Sequence, residues 1–306
     1  MKIALIDCGT NTFHLLIAEV KADNTVQFLV KEQVPVMLGE GGLSKKEISE
    51  SAFKRGLNCL KNFNAVIQKA NPDKLMAYGT AALRNAGNGQ LFIDAVRQET
   101  GIKLQVIDGN REAELIYAGV KKAVKMDGIE LIMDIGGGST ELIVADQNKI
   151  HWLKSYPAGA ALLREKFKPA DPMTTENIEA MESWFNEIFS SFISEWKGKI
   201  TVLNGSAGSF ETLAVLASCQ QSENPPGTNQ ISGEISLEAF RSVFTNLLHS
   251  TREERLKMKG LPEFRADMIV PATVLTNFFI SRMDIKKLRW SAYSLKEGML
   301  FESAGI

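Results

Sequence analysis

The segment Asp134–Glu141, read Asp-Ile-Gly-Gly-Gly-Ser-Thr-Glu, combines three successive glycines with a carboxylate on either side. Because glycine has no Cβ, such a turn can bring its backbone N–H groups against an anion such as phosphate. Carboxylates beside a phosphate would repel it unless a hard cation such as Mg²⁺ lay between them, so Asp134 and Glu141 are predicted metal ligands. The alternative is a plain glycine hairpin. The predicted phosphate-binding residues of this turn are Gly136, Gly137, Gly138 and Ser139.

A second segment repeats this pattern at the start of the chain. Asp7–Ala18 aligns with Asp134–Ala145 at an offset of 127 residues, and Asp, Gly, a hydroxyl residue, Leu, an aliphatic pair and Ala recur in register. Such a repeat indicates two similar units, each with its own phosphate-binding turn. The predicted phosphate-binding residues of the first turn are Asp7, Gly9, Thr10, Asn11 and Thr12.

Each copy is followed by an apolar strand and a small-residue turn that opens a helix. These strands and turns, Lys74–Thr80 and Ile200–Ser206, end 73 and 72 residues after their respective aspartates. A helix N-terminus directs free N–H groups toward an anion, and an arginine one turn into the helix would add a phosphate clamp. The residues predicted to bind phosphate here are Thr80, Arg84, Gly205 and Ser206.

Hydrophobic periodicity predicts the elements that would position these residues, and strands that alternate with helices indicate an α/β fold. Strands are predicted at 2–7, 13–20, 26–38, 75–78, 104–107, 131–135, 142–144, 150–156 and 287–292. Helices are predicted at 90–100, 158–167, 174–196, 236–249, 265–282 and 294–303. Further helices are predicted to begin after the turns at 79–80, 108–109 and 205–206. Another helix is predicted from a capping box at Ser44–Glu47 to Pro72. Residues 218–233, with Pro225 and Pro226, are predicted to form a loop.

The repeat predicts two α/β domains, residues 1–124 and 125–306, that face each other across a cleft. Each domain would contribute one glycine turn, so a polyanion held between the turns is the expected ligand. The last helix is a candidate to pack back on the first domain.

Composition restricts the classes of function. The chain has 306 residues, 44% of them hydrophobic and 23% charged, which is ordinary for a globular protein. Its net charge of −1 argues against general binding to nucleic acid or to a membrane surface. Three cysteines without metal-site spacing fit a reducing compartment, and no apolar run approaches the roughly 18 residues of a membrane span. We therefore expect a cytoplasmic protein.

Over nearly its whole length, the chain resembles the exopolyphosphatase and guanosine pentaphosphate phosphohydrolase family, in its short two-domain form. The segments that carry the resemblance are Ile6–Thr12, Gly39–Gly41, Gly79–Ala86, Gly109–Tyr117, Asp134–Glu141, Gly205–Gly208, Arg265–Asp267 and Glu297–Gly298. Of these, Thr80–Ala86 and Gly109–Tyr117 are the most typical of the family. The resemblance implies the duplicated fold of actin, Hsp70 and sugar kinases, which is ribonuclease H-like.

The resemblance also implies roles for individual residues. Glu112 would be the general base for the attacking water, Asp134 and Glu141 would bind Mg²⁺ or another divalent cation, and Arg84 would hold a phosphate. The implied substrate is inorganic polyphosphate or guanosine pentaphosphate, and the protein could be a homodimer. The chain departs from the family pattern at Cys8, Asp108, Glu114 and Lys296. At Glu114, where arginine is usual, an anion replaces a cation near the expected base.

Two other classes of function share the predicted fold. An ATP-dependent small-molecule kinase would need an adenosine site and an acceptor pocket, whereas an acid at Glu112 poised for water favours hydrolysis. A chaperone-like or filament-like switch would need a substrate domain or a long insertion, and the predicted elements leave no room for either.

Overall fold

The computed structural model describes residues 1–221, 225–227 and 229–306. The first sheet consists of β1 (Lys2–Cys8), β2 (Phe13–Val20), β3 (Val26–Val34), β4 (Lys74–Gly79) and β5 (Leu104–Val106). Their spatial order is β3-β2-β1-β4-β5; the first three strands pair antiparallel, and β4 and β5 add in parallel. The helices α1 (Glu50–Ala70), α2 (Ala81–Asn85) and α3 (Gly89–Thr100) connect its later strands.

The second sheet repeats the first. Its strands are β6 (Glu130–Ile135), β7 (Thr140–Ala145), β8 (Ile150–Tyr156), β9 (Val202–Ser206), β10 (Ser232–Ile235) and β11 (Lys287–Ser291), in the order β10-β11-β9-β6-β7-β8. The run β8-β7-β6-β9-β11 has the same pairing directions as β3-β2-β1-β4-β5, and β10 adds an antiparallel edge. The predicted duplicated α/β fold with a cleft between its halves is therefore confirmed.

The helices of the second half cover its sheet. They are α5 (Ala160–Phe167), α6 (Thr175–Trp196), α7 (Ala207–Gln220), α8 (Leu237–His249), α9 (Arg252–Lys257) and α10 (Ile269–Met283), with a 3₁₀ turn at Glu263–Arg265. The aromatic stripe of α6 lies in the core, where Phe185 and Phe189 pack against Phe278 of α10. Among the described residues, no helix is long and apolar enough to cross a membrane.

Two helices lie between the sheets, α4 (Gly109–Ala123) and α11 (Leu295–Ala304). They share one hydrophobic core with residues of both sheets, including Leu5 of β1 and Ile143 of β7. Helix α11 packs on β1 and β2, whereas α4 packs on β7 and β8. The final helix of each half thus packs on the sheet of the other half, and α4, which carries Glu112, is supported by the second sheet.

The two central helices approach each other most closely at glycines. A Cβ added at Gly119 would lie 2.2 Å from the carbonyl oxygen of Ser294, and one at Gly298 would lie 1.8 Å from that of Leu115. Backbone packs directly against backbone here, so no side chain fits at either position.

The structure differs from the sequence-based boundaries at several places. Helix α1 begins at Glu50 with Ser49 as its N-cap, so the predicted start at the Ser44–Glu47 capping box is wrong. Lys46 has a φ of 53°, which is incompatible with a helix through this segment. Strand β3 ends at Val34 because the chain then turns to hydrogen-bond the loop after β1.

In the second half, α10 begins at Ile269 rather than at 265, and α9 was not predicted. Helix α7 and strand β10 enter the predicted loop at 218–233 from either side, and residues 222–224 and 228 of that loop lie outside the described residues. The domain limits 1–124 and 125–306 stay a prediction.

We expect Gly298→Ala to lower the free energy of unfolding by about 2 kcal/mol, because the added methyl group would force α4 and α11 apart. Urea unfolding followed by circular dichroism measures the change. Gly128→Ala is the control, since an added Cβ there has no neighbour within 4 Å, and it should change stability by less than about 0.5 kcal/mol. Equal stability of the two variants would contradict the close helix contact.

Candidate active site

A cleft of about 550 Å³ opens between the two halves of the molecule and is lined by residues from both. Most of the predicted site residues meet there, although they come from widely separated parts of the chain. Those that line the cleft are Asp7, Gly9, Thr10, Asn11, Thr12, Thr80, Glu112, Asp134, Gly136, Gly137, Gly138 and Ser139.

The first glycine turn is fixed by backbone hydrogen bonds on its outer side. The N–H of Gly9 donates to the carbonyl of Thr12 (3.1 Å), and N–H groups of residues 37 and 39 donate to the carbonyls of Asn11 (2.8 Å) and Thr10 (3.0 Å). Since a trans peptide points its N–H opposite to its C=O, the N–H groups of Asn11 and Thr12 are directed away from this support, toward the cleft.

The second turn is built in the same way. The N–H of Gly136 donates to the carbonyl of Ser139 (3.0 Å), which repeats the bond of the first turn at the offset of 127 residues. The first two N–H groups of α5 donate to the carbonyls of Gly136 (2.9 Å) and Gly137 (3.0 Å). The N–H groups of Gly137 and Gly138 therefore also point into the cleft. A Cβ at Gly159 would lie 2.4 Å from the backbone of Gly137, which explains the glycine before α5.

The two turns touch each other across the cleft. A Cβ at Gly137 would lie 2.8 Å from the side-chain amide of Asn11, and one at Gly138 would lie 2.9 Å from the hydroxyl of Thr10. The glycines of the second turn thus serve both to expose N–H groups and to admit the side chains of the first turn.

Asp134 and Glu141 are direct neighbours in the β6–β7 register, so their side chains lie on the same face of the sheet. Only 6% of Asp134 and 1% of Glu141 is exposed. Asp134 Oδ2 accepts hydrogen bonds from the hydroxyls of Ser206 (2.6 Å) and Ser294, and Glu141 Oε1 accepts one from Ser155 (2.7 Å). Hydroxyl donors, and no cationic side chain, contact these two carboxylates within the described part of the chain.

Asp7 and Glu112 bring further negative charge to the same region. Burial raises the pKa of Asp7 to about 7, and the nearby Glu112 contributes to the rise. Asp7 Oδ1 is buried without a hydrogen-bond partner among the described residues. Burial also raises the pKa of Glu112 to about 7, although the Arg84 guanidinium opposes that rise. The pKa values of Asp134 and Glu141 are raised by burial as well.

Four predicted site residues do not line the cleft. Arg84 Nη1 donates to Glu112 Oε2 (3.0 Å) and to the carbonyl of Ile107 (2.9 Å), so its guanidinium holds the expected base. Glu141 is 1% exposed beside Asp134 in the sheet. Ser206 is bonded to Asp134, and Gly205 lies in the core, where a Cβ would meet the Phe210 ring at 1.9 Å.

The residues directly after Ser206 line the cleft instead. These are residues 207–209, at the N-terminus of α7, where no side chain caps the helix. Ala207 has a φ of 64°. The predicted helix N-terminus of the second half therefore faces the cleft, but one residue later than the sequence suggested.

Several cleft residues were missed by sequence reasoning. They include His14, Lys31, Glu211, Arg265, Trp290 and Lys296. The repeat could have identified His14, because it occupies the position of Glu141 in the first copy. Arg265 lies in a segment that carries the family resemblance, and Lys296 was named as a departure from the family pattern, but neither was assigned a role. Glu211 offers no such signal.

A duplicated α/β fold with glycine turns and carboxylates around one interdomain cleft defines a class of two-domain phosphate-handling proteins. The model of the Ppx/GppA phosphatase family matches residues 16–305, and the chain belongs to this family.

Relatives cover the whole described fold. A putative exopolyphosphatase of Haemophilus influenzae is 28% identical over 98% of this chain and 90% of its own length. A guanosine-5'-triphosphate,3'-diphosphate pyrophosphatase of Photobacterium profundum is 30% identical over 98% of this chain, which spans only 58% of that longer protein. The crystal structure of an exopolyphosphatase from Cytophaga hutchinsonii is 38% identical, with a TM-score of 0.95 over 100% of this chain and 99% of its own. An Aquifex aeolicus PPX-GPPA enzyme is 25% identical, with a TM-score of 0.81 and coverage of 99% of each chain.

We expect Asp7→Asn to stabilise the protein at pH 8 in the absence of divalent cations. The folded-state pKa of Asp7 lies above its unfolded value near 4, so the ionised carboxyl destabilises the fold increasingly as the pH rises from about 4 to 7. The gain should be on the order of 4 kcal/mol at pH 8 and close to zero at pH 4, measured by chemical denaturation. The exposed Asp94→Asn is the control; a similar pH-dependent gain there would argue against the assignment to Asp7.

Proposed function

We propose that this protein is an exopolyphosphatase, which hydrolyses the terminal phosphate of inorganic polyphosphate and releases orthophosphate. The observation that carries the proposal is the pair of glycine turns whose N–H groups face one cleft beside buried carboxylates. Membership of the Ppx/GppA phosphatase family and the names of its relatives support the same reaction. The test is phosphate release from polyphosphates of several lengths, beside guanosine pentaphosphate and ATP.

In this mechanism the terminal phosphoryl group binds between the two turns, where the N–H groups of Asn11, Thr12, Gly137 and Gly138 stabilise its oxygens. Glu112 orients a water molecule for in-line attack and accepts its proton. A pKa near 7 suits this role, because about half of the carboxyl groups are ionised at neutral pH and the ionised form is basic enough to take the proton. Arg84 fixes the position of Glu112 through its hydrogen bond.

The carboxylates at and next to the cleft fit a divalent cation such as Mg²⁺. Asp134 and Glu141 offer adjacent carboxylate oxygens, which are the ligands hard cations prefer, and the unpartnered Asp7 Oδ1 offers another. No three such side chains of the described residues converge closely enough to hold a metal alone, so water and phosphate would complete the coordination. When bound, the cation would neutralise phosphate charge.

Hydrolysis of the 5′-phosphate of guanosine pentaphosphate is the second candidate. It needs the same chemistry and, in addition, a surface for the guanosine. Phe264, Met268 and Trp290 form an apolar part of the cleft wall that suits a nucleoside better than a bare phosphate chain. The relative from Photobacterium profundum carries a name of this type.

The proposal retains the other sequence-based expectations. Domains 1–124 and 125–306 would close on the substrate, the enzyme would act in the cytoplasm, and it could form a homodimer without nucleic-acid or membrane partners. Three free cysteines, Cys8, Cys59 and Cys219, support a reducing compartment.

We expect Glu112→Gln to lower kcat by a factor on the order of 10² to 10⁴, the usual share of general-base catalysis, while a non-hydrolysable polyphosphate analogue still binds. Glu114→Gln is the control, because Glu114 is half exposed and pairs with Arg111 (3.1 Å), away from the cleft. Steady-state kinetics and calorimetric binding measure the two effects. Equal losses in both variants, or none in Glu112→Gln, would remove Glu112 from the mechanism.

Mg²⁺ should raise the thermal unfolding temperature of the wild-type protein, because a ligand that binds only the folded state stabilises it. Asp134→Asn and Glu141→Gln should reduce this effect, and excess Mg²⁺ should partly restore turnover in at least one of them. The control is Asp94→Asn, whose response should match the wild type. If both folded variants respond to Mg²⁺ as the wild type does, the metal assignment is wrong.

A further inference from the structure

Among the described residues, three cationic side chains line the cleft, Lys31, Arg265 and Lys296. Lys31 is exposed, and its ammonium lies 3.8 Å from the centroid of the Phe28 ring. The guanidinium of Arg265 donates to the carbonyl of Gly208 and to the hydroxyl of Thr212 (2.7 Å). Lys296 alone of the three is held close to the carboxylates.

Lys296 lies in the first turn of α11 and is fixed there by its neighbours. Its ammonium is 3.2 Å from Glu297 Oε1, and Glu297 Oε2 accepts the N–H of Ser294 (3.0 Å). The hydroxyl of Ser294 in turn donates to Asp134. The Lys296 side chain is 23% exposed, whereas that of Glu297 is 2% exposed. Lys296 is therefore the accessible member of this ion pair, and it lines the cleft.

The charge of Lys296 reaches the site where a phosphoryl group would bind. Lys296 lines the same cleft as Asp7, Asp134 and the glycines of both turns. A phosphoryl group held between the two turns would lie beside both aspartates and would add more negative charge. Arg84 is engaged with Glu112 and does not line the cleft.

We propose that Lys296, rather than Arg84, is the side-chain cation that binds the terminal phosphoryl group. This inference rests on the proposed function. The Lys296 ammonium carries three N–H donors, so it can contact a phosphate oxygen while it keeps its ion pair with Glu297. Arg84 is then a positioning residue, which acts through Glu112.

The test compares Lys296→Met with Lys296→Arg, with methylenediphosphonate as the probe in the presence of Mg²⁺. We expect Lys296→Met to weaken binding by about tenfold or more in isothermal titration calorimetry, and Lys296→Arg to stay within about threefold of wild type, because charge is the property required. Lys69→Met, an exposed lysine in the last turn of α1, is the matched control and should bind as the wild type does.

Lys296→Met leaves Glu297 buried without its cation and could fail to fold. The double variant Lys296→Met/Glu297→Gln removes both charges and keeps an oxygen for the N–H of Ser294. It should fold and should show the same loss of diphosphonate binding. Wild-type affinity in a folded Lys296→Met or double variant would overturn the proposal, as would an equal loss in folded Lys296→Arg.

Arg84→Met supplies the contrast. Since Arg84 holds the pKa of Glu112 down against the effect of burial, its loss should move the acid limb of kcat/KM to higher pH while diphosphonate binding persists. Lys296→Met should weaken binding and leave that limb in place. If Arg84→Met instead weakens diphosphonate binding while Lys296→Met does not, Arg84 rather than Lys296 binds the phosphate. If the wild type releases no phosphate from any polyphosphate, the proposed function fails, and the binding comparison still decides the role of Lys296.

Discussion

Burial of four carboxylates around one cleft is the constraint on which the rest of this structure depends. Glu112, Asp134 and Glu141 are buried and Asp7 is partly buried, and an unpaired charge is strongly disfavoured away from bulk water. The fold compensates each one differently. Hydroxyls contact Asp134 and Glu141, a guanidinium contacts Glu112, and Asp7 Oδ1 has no partner among the described residues. The incomplete compensation is what makes the cleft receptive to a cation.

The duplicated architecture holds these charges together. Each half ends in a helix that packs on the opposite sheet, so neither half can move away without exposing the apolar core shared by α4 and α11. The contacts at Gly119 and Gly298 bring the two helix backbones together, which places the first turn of each helix at the cleft. Hydrophobic packing thus supplies the free energy that keeps like charges close.

The parts of the site that were predictable are those whose requirements are local. A turn that exposes N–H groups needs glycines in a short segment, so both turns, and the aspartates before them, could be read from the repeat. The same repeat predicted that the two halves are similar α/β units. Arg84 was predicted to bind phosphate. Its contact with Glu112 was not predictable, because it depends on where α4 packs. Gly205 was predicted to bind phosphate, but a glycine is needed there because a Cβ would overlap the Phe210 ring. Both contacts depend on three-dimensional packing, which a local sequence pattern does not encode.

The two halves have kept the same scaffold and diverged in charge. His14 stands in the first half where Glu141 stands in the second, so the β6–β7 hairpin presents two adjacent carboxylates and the β1–β2 hairpin pairs Asp7 with a histidine. The central helices also differ in charge at the cleft. The first turn of α4, in the first half, brings the acid Glu112, and the first turn of α11, in the second half, brings the cation Lys296. A symmetric site would gather carboxylates on both sides and would repel a phosphate chain. The asymmetry instead places the proposed base and the proposed phosphate-binding cation on two helices whose mutual packing fixes the distance between them.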